Sequence, residues 1–207
     1  MNGRAFHPLV LLSGLAMGGA ERVTVSFVRR LRAMGMDVAV CTLTARLDGP
    51  LAAELCAAGV PRHDLGARRL ADPRLLVRLF RLLARERPDL VHAHGQDASI
   101  LAGAARWVRA FPLVITRHVM DEPMANLRQR LRARAACAAL RRADAVVAVS
   151  RAAAERLAEL HGRPREAIHV IENGIELERF AGGAPGARQR VRAALGAGPD
   201  EPLVLVP

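Results

Sequence analysis

The stretch PLVLLSGLAMGGAERVTVSFVRRLRAMGMDVAVCTLT, running from Pro8 to Thr44, decides the fold. Leu9-Val10-Leu11-Leu12 is too short to span a bilayer and has the length and apolarity of a buried strand. Val23, Phe27, Val28, Leu31 and Met34 then recur at three- and four-residue spacing, while Arg22, Arg29, Arg30 and Arg32 fall mainly on the other side. That pattern predicts an amphipathic helix with its buried face on the apolar set, closed by Gly35. Val38 to Leu43 reads as a second strand. Met17-Gly18-Gly19-Ala20-Glu21 lies where the first strand hands over to the helix. Glycine at such a turn lets a ligand approach the backbone closely, and the helix start offers free N–H groups to an anion.

The turn is neither of the two familiar nucleotide loops. Gly14, Gly18 and Gly19 are spaced G-x-x-x-G-G, no acidic residue ends the second strand to hold a ribose, and no G-K-[ST] follows. A nicotinamide-dependent oxidoreductase is therefore disfavoured. A tight turn that binds nothing is the plain alternative for Gly18 and Gly19.

Working outward, the chain repeats the same alternation. Pro50 to Ala58 is a short helix ended by Gly59, and Val60 to Leu65 a third strand. Asp72-Pro73 starts a helix, with Asp72 as cap and Pro73 at its first position, and with Leu75, Leu76, Leu79, Phe80 and Leu83 buried. Leu90 to His94 is a strand stopped by Gly95, and Asp97 to Arg109 a helix. Leu113 to Thr116 is a strand with Arg117-His118 at its end, followed by a loop over Asp121 to Ala125 and a basic helix from Asn126 to Arg142. Ala145 to Val149, a helix from Arg151 to Leu160 capped by Ser150, and Ile168 to Ile171 complete the series. Apolar strands separated by helices imply an α/β, doubly wound parallel sheet covered on both faces.

Ligands of such sheets bind beyond the C-terminal ends of the strands. Those ends carry Gly18 and Gly19, then His92, His94 and Gly95, then His118, Ser150, and Asn173-Gly174. His92 and His94, two apart on a strand, face the same side. With His118 and Asp97 they resemble metal ligands in type, but no fixed ligand spacing supports a metal, and none is expected. His118 is the strongest candidate, because an imidazole at a strand end can donate a hydrogen bond near neutral pH. Ser150 lacks a G-x-S-x-G setting and reads as a helix cap. Asp121 and Glu122 are adjacent, hence not a preset acid/base pair.

The 31 basic residues are all arginine against 20 acidic ones, giving a formal charge of +11, and there is no tyrosine. Abundant alanine beside this arginine bias points to coding composition, yet the surface still favours phosphate-bearing substrates or anionic lipid. Nucleic acid is not expected, since no recognition motif and few aromatics accompany the charge. Cys41, Cys56 and Cys137 are odd in number and widely spaced, which fits a reduced, cytoplasmic compartment. Arg4 followed by Leu9 to Met17 has the outline of a secretory leader, but removing it would delete the first strand.

Gly18-Gly19-Ala20-Glu21, Pro88-Asp89-Leu90-Val91-His92-Ala93-His94, Thr116-Arg117-His118, Val147-Ala148-Val149-Ser150 and Val170 to Phe180 occur in that order. Together they resemble the N-terminal half of group 1 (family 4) glycosyltransferases, over almost the whole chain. Glu172 and Glu176 stand where the family pattern usually has proline and aspartate. The resemblance implies a GT-B fold, with two Rossmann-like halves, and retaining transfer of a sugar from a nucleotide-sugar donor without an obligatory metal. It implies no further cofactor. The first half would receive the acceptor, a sugar or lipid-linked molecule. The glycine loop would approach the donor phosphates, and His118 would lie near the reacting sugar. On this reading residues 1–180 are the acceptor-side domain and 181–202, rich in glycine and proline, a linker. Residues 203–207 would then be the first strand of a donor-binding domain, the chain being truncated before it and inactive alone. The arginines of the basic helix from Asn126 to Arg142 are most simply a solvated face; the alternative is that a protein acting at the inner face of a membrane would use them as its contact. The rival from another class is a non-catalytic sugar- or phosphate-binding module.

Overall fold

A computed structural model describes residues 5–44, 49–67, 72–118, 126–177 and 182–204. The loop expected at 121–125, with Asp121 and Glu122, lies outside the described residues, as do 178–181 and 205–207. The chain divides into two compact units, one reaching Asn173 and the other starting at Gly174.

In the first unit, β1 (Pro8–Leu12), α1 (Gly19–Ala33), β2 (Ala39–Thr44), α2 (Pro50–Ala57) and β3 (Arg62–Ala67) follow one another. Then come α3 (Arg74–Glu86), β4 (Leu90–His94), α4 (Gln96–Ala105), β5 (Leu113–Arg117), α5 (Leu127–Arg142), β6 (Ala145–Ala148), α6 (Arg151–His161) and β7 (Ile168–Val170). The seven strands form one sheet in the order β3-β2-β1-β4-β5-β6-β7, and every neighbouring pair is parallel. The doubly wound parallel sheet expected from the alternation is present.

Alternate residues of β1 feed two cores. Val10 and Leu12 pack with Val25 and Val28 of α1 and with Leu51 and Leu55 of α2. Leu9 and Leu11 pack on the other face with Leu75 and Leu79 of α3, Leu101 of α4, Leu140 of α5 and Leu157 of α6. Truncating any of these buried leucines to alanine costs about 2–5 kcal/mol. Gly103 lets α4 and α5 approach closely, since a Cβ there would lie 2.5 Å from the Cβ of Ala139.

Several boundaries differ from expectation for local reasons. The third strand begins at Arg62 rather than Val60, because the Val60 N–H closes α2 on the Leu55 carbonyl and Pro61 has no N–H to give. Helix α3 begins at Arg74 with Pro73 at its cap position, while the Asp72 carboxylate accepts from the Arg74 N–H at 2.9 Å. Helix α4 stops at Ala105, where Trp107 and Val108 take up tighter i→i−3 bonds. The buried face of α1 is rotated from the expected one: Thr24, Val25 and Val28 are buried, while Met34 is 64% and Phe27 37% exposed.

Among the described residues the second unit has one helix, α7 (Ala187–Ala194), near the helical piece expected at Arg188 to Leu195, and none of the helix's residues is buried. The Arg192 guanidinium folds the following turn onto the helix by donating to the Gly198 and Glu201 carbonyls. Leu203 and Val204 are irregular, and the rest of the strand expected there lies outside the described residues.

Candidate functional site

Strand order reverses between β1 and β4, so the connections leaving these two strands depart to opposite faces. Helix α1 covers the face of Val10, and α4 covers the face of Leu9. A crevice opens at the C-terminal edge at such a reversal. Gly18 and Gly19 border it from β1, and His94 and Gly95 from β4.

Gly18 is the cap residue of α1 in extended backbone, and Gly19 is the first helical residue. The two are not equivalent. A side chain at Gly18 would overlap the Glu21 carboxylate, which leans back over the helix start, whereas a Cβ at Gly19 meets nothing within 4 Å. The open approach to the backbone is thus at Gly19. Gly95 has a different reason to be glycine: its φ of +80° is the left-handed region, and its N–H bonds the Thr116 carbonyl at 3.0 Å.

The parallel register sets His92 beside Val114 and His94 beside Thr116, on the sheet face that Val10 shares. His118 follows two residues after Thr116. Three imidazoles thereby meet: the His92 and His94 rings are 4.2 Å apart and the His94 and His118 rings 5.3 Å apart and stacked. His94 Nδ1 lies 3.0 Å from His118 Nε2 and 3.2 Å from Thr24 Oγ1, while His92 Nε2 lies 2.8 Å from Thr116 Oγ1. Phe27 of α1 completes the layer, edge-on to His92 at 5.6 Å.

Burial keeps these rings neutral. Desolvation pulls His92 down to about 4, with the charge of His118 adding to it. His94 is held well below its ordinary value by burial and by the rings on either side of it. His118 is lowered by burial and then by the Arg117 guanidinium. At neutral pH the cluster therefore works as hydrogen-bonding groups without positive charge. Among the described residues no group of three or more His, Cys, Asp or Glu side chains is arranged to hold a metal ion.

The remaining sequence candidates lie elsewhere along the edge. Ser150 caps α6, its hydroxyl oxygen accepting from the Ala153 N–H at 3.1 Å. Asn173 follows the edge strand β7, three strands from β4, which at about 4.8 Å per strand places it roughly 14 Å away across the sheet. Gly174 opens the second unit. The edge is thus a row, and only the β1, β4 and β5 ends form a cluster. Sequence reading missed Thr24, Phe27 and Thr116 as members of it. The one signal for Thr24 was a hydroxyl inside an otherwise apolar helical stripe.

Residues 17–179 match the family described as Glycosyltransferase Family 4. The chain is 30% identical to D-inositol 3-phosphate glycosyltransferase 1 of Catenulispora acidiphila, over 96% of this chain and 50% of that protein. It is 31% identical to the D-inositol 3-phosphate glycosyltransferase of Nocardiopsis dassonvillei, over 86% of this chain and 46% of that protein. The chain thus spans about half the length of these curated relatives. Among solved structures, Anabaena HepE in complex with UDP superposes with a TM-score of 0.72 at 22% identity, covering 92% of this chain and 50% of that one. The sucrose-phosphate synthase of Thermosynechococcus elongatus does so with a TM-score of 0.71 at 17% identity, covering 95% and 54%.

Proposed function

The chain belongs to glycosyltransferase family 4, and on that premise we propose that it is the acceptor-side half of a retaining glycosyltransferase that moves a sugar from a nucleotide-sugar donor to an acceptor. Its sheet is one Rossmann-like half of a GT-B fold. The observation that carries the reading is the neutral histidine cluster at the strand reversal, beside the open backbone of Gly19. In the reaction the bond from the sugar's anomeric carbon to the diphosphate breaks, and negative charge grows on the departing diphosphate. The Gly19 end of α1 supplies N–H groups and a partial positive charge to a phosphate. His118, neutral and placed at the end of β5, donates a hydrogen bond at the sugar and stabilises the developing charge. No metal and no further cofactor takes part, the nucleotide sugar being a co-substrate.

Curated relatives are named for transfer to D-inositol 3-phosphate, so a phosphorylated polyol is the first acceptor to try, with lipid-linked sugars second. The arginine-rich surface suits either, since both carry phosphate. A protein using the lipid-linked class would work in the cytoplasm against the inner face of the membrane.

The test is turnover in a transfer-competent form of the protein, one that joins these residues to a donor-binding half. His118→Ala lowers kcat/KM by about two orders of magnitude or more, the scale of losing a transition-state donor, and leaves the melting temperature nearly unchanged. Near-normal transfer by the variant would remove His118 from the chemistry. A nucleotide sugar that binds without ever being consumed would favour a non-catalytic binding module instead.

A further inference from the structure

Thr24, His94 and His118 lie in a chain of contacts, and the position of one proton in it sets the others. The Thr24 hydroxyl donates to the Ala20 carbonyl at 2.8 Å, the back-bond that a helical threonine makes to the residue four before it. A hydroxyl has one proton, so towards His94 Nδ1 at 3.2 Å the same oxygen accepts. His94 then carries its proton on Nδ1, and that N–H is shared with His118 Nε2 at 3.0 Å, which must offer a lone pair. His118, being neutral, is left with its proton on Nδ1.

We infer that Thr24 and His94 are positioning residues that hold His118 in the Nδ1–H tautomer, so that Nδ1 is the donor presented to an oxygen of the bound sugar. This rests on the placement of His118 beside the reacting sugar proposed above. The opposite arrangement puts the proton on His118 Nε2, pointing at a His94 Nδ1 lone pair. That lone pair would then face a Thr24 oxygen whose own proton is committed to Ala20. Turning the Thr24 hydroxyl towards His94 would exchange a 2.8 Å hydrogen bond for a 3.2 Å one.

The two orphaned ring nitrogens decide in the same direction. His94 Nε2 and His118 Nδ1 are both buried and have no hydrogen-bond partner among the described residues. In the inferred state the more deeply buried ring, His94, holds only an unpaired acceptor at that atom, and the unpaired donor is on His118. In the opposite state an unpaired N–H would be locked within the core beside His92. An unmade bond at a buried donor costs about 1–3 kcal/mol, so the donor belongs on the less deeply buried ring, that of His118. The groups that face the chain of contacts are His92 and Phe27 on the same sheet face and Arg117 behind His118. None of them offers His118 an acceptor.

The experiment reads tautomers directly, on the 207-residue chain labelled with 15N-histidine, from long-range proton–nitrogen correlations at neutral pH. His118 should show a protonated, pyrrole-like Nδ1 and an unprotonated, pyridine-like Nε2, with His94 showing the same pattern. Thr24→Val removes the acceptor that fixes His94, and the His118 Nε2 resonance should move towards the protonated range as both tautomers become populated. Thr24→Ser, which keeps the hydroxyl, should restore the wild-type pattern. A protonated Nε2 on His118 in the unmutated chain would overturn the inference, as would a Thr24→Val variant whose His118 pattern is unchanged. The glycosyltransferase reading of the site fails separately: if the tautomers are as stated but His118→Ala transfers sugar normally, the relay stands and its catalytic purpose does not.

Discussion

His94 Nδ1 lies 3.0 Å from His118 Nε2, and this contact ties the end of β4 to the end of β5, on one side of the crevice that opens between β1 and β4. It is lost once both rings are protonated, because two imidazolium ions place donors against each other. The same burial that makes the pair a hydrogen-bonding device therefore makes it sensitive to acid.

The first prediction is a loss of stability in mild acid. In the unfolded chain the imidazoles titrate near 6.5, whereas burial holds His92 at about 4 in the folded chain and holds His94 well below its ordinary value. Between these values the unfolded state binds more protons, so stability rises with pH across the window. It is complete above about 6.5 and is lost as pH falls towards about 4. Urea midpoints measured at steps through that range should fall with pH, and His92→Gln should flatten part of the slope. Midpoints that stay level across the window would show that these rings are not buried neutral.

A second prediction separates ligand approach from folding at the glycine turn. Gly19 has open space around a would-be Cβ and no left-handed backbone, so the chain itself tolerates a side chain there. Gly19→Val should leave the melting temperature within a few degrees and weaken the use of a nucleotide sugar, because the branched side chain stands between phosphate and backbone N–H groups. Unchanged kinetics with donor would mean that the turn is only a connection.

How far the sequence carries can be judged at these same residues. The period-two alternation of a strand was enough to put His92 and His94 on one face, and the glycines and prolines between apolar runs were enough to mark a parallel α/β sheet. Strand order was not legible, because pairing between β1 and β4 depends on contacts some 80 residues apart that no local period encodes. Without that order, Ser150 and Asn173 stand with His118 in one row of strand ends, although His118 is already the strongest candidate and Ser150 reads as a helix cap. Helix α1 shows the other limit. Its apolar pattern places Val23, Phe27, Val28, Leu31 and Met34 on the buried face, and packing on α2 and β1 instead chooses a rotation that buries Thr24 and turns Met34 to solvent.

The third prediction concerns α5, which exposes Arg128, Arg130 and Arg134 together with Leu127, 72% exposed, and Leu131, 55% exposed. No helix among the described residues is long and apolar enough to cross a membrane, so any attachment through α5 would be to the surface. If the acceptor is lipid-linked, the protein should sediment with vesicles containing anionic lipid and be released by moderate salt, since the screening length is already about 8 Å at physiological ionic strength. Equal binding to neutral vesicles would exclude this electrostatic attachment.

The last prediction concerns what these 207 residues do by themselves. They fold, because one sheet with helices on its faces buries two continuous cores without help from the second unit. Folding is not turnover. Transfer requires the anomeric carbon of the donor and an oxygen of the acceptor to be held together, and orientation of that kind supplies roughly 7–11 kcal/mol of the reduction in barrier. The chain matches about half of each curated relative considered above, and it lines one side of a crevice. It is therefore expected to show no sugar transfer when incubated alone with a panel of nucleotide sugars and with phosphorylated polyol or lipid-linked acceptors. Fused to the C-terminal half of a curated relative, it should gain transfer that His118→Ala removes. Transfer by the 207 residues alone would mean that a single Rossmann-like half holds both reactants, and would overturn the assignment of donor binding to a second half.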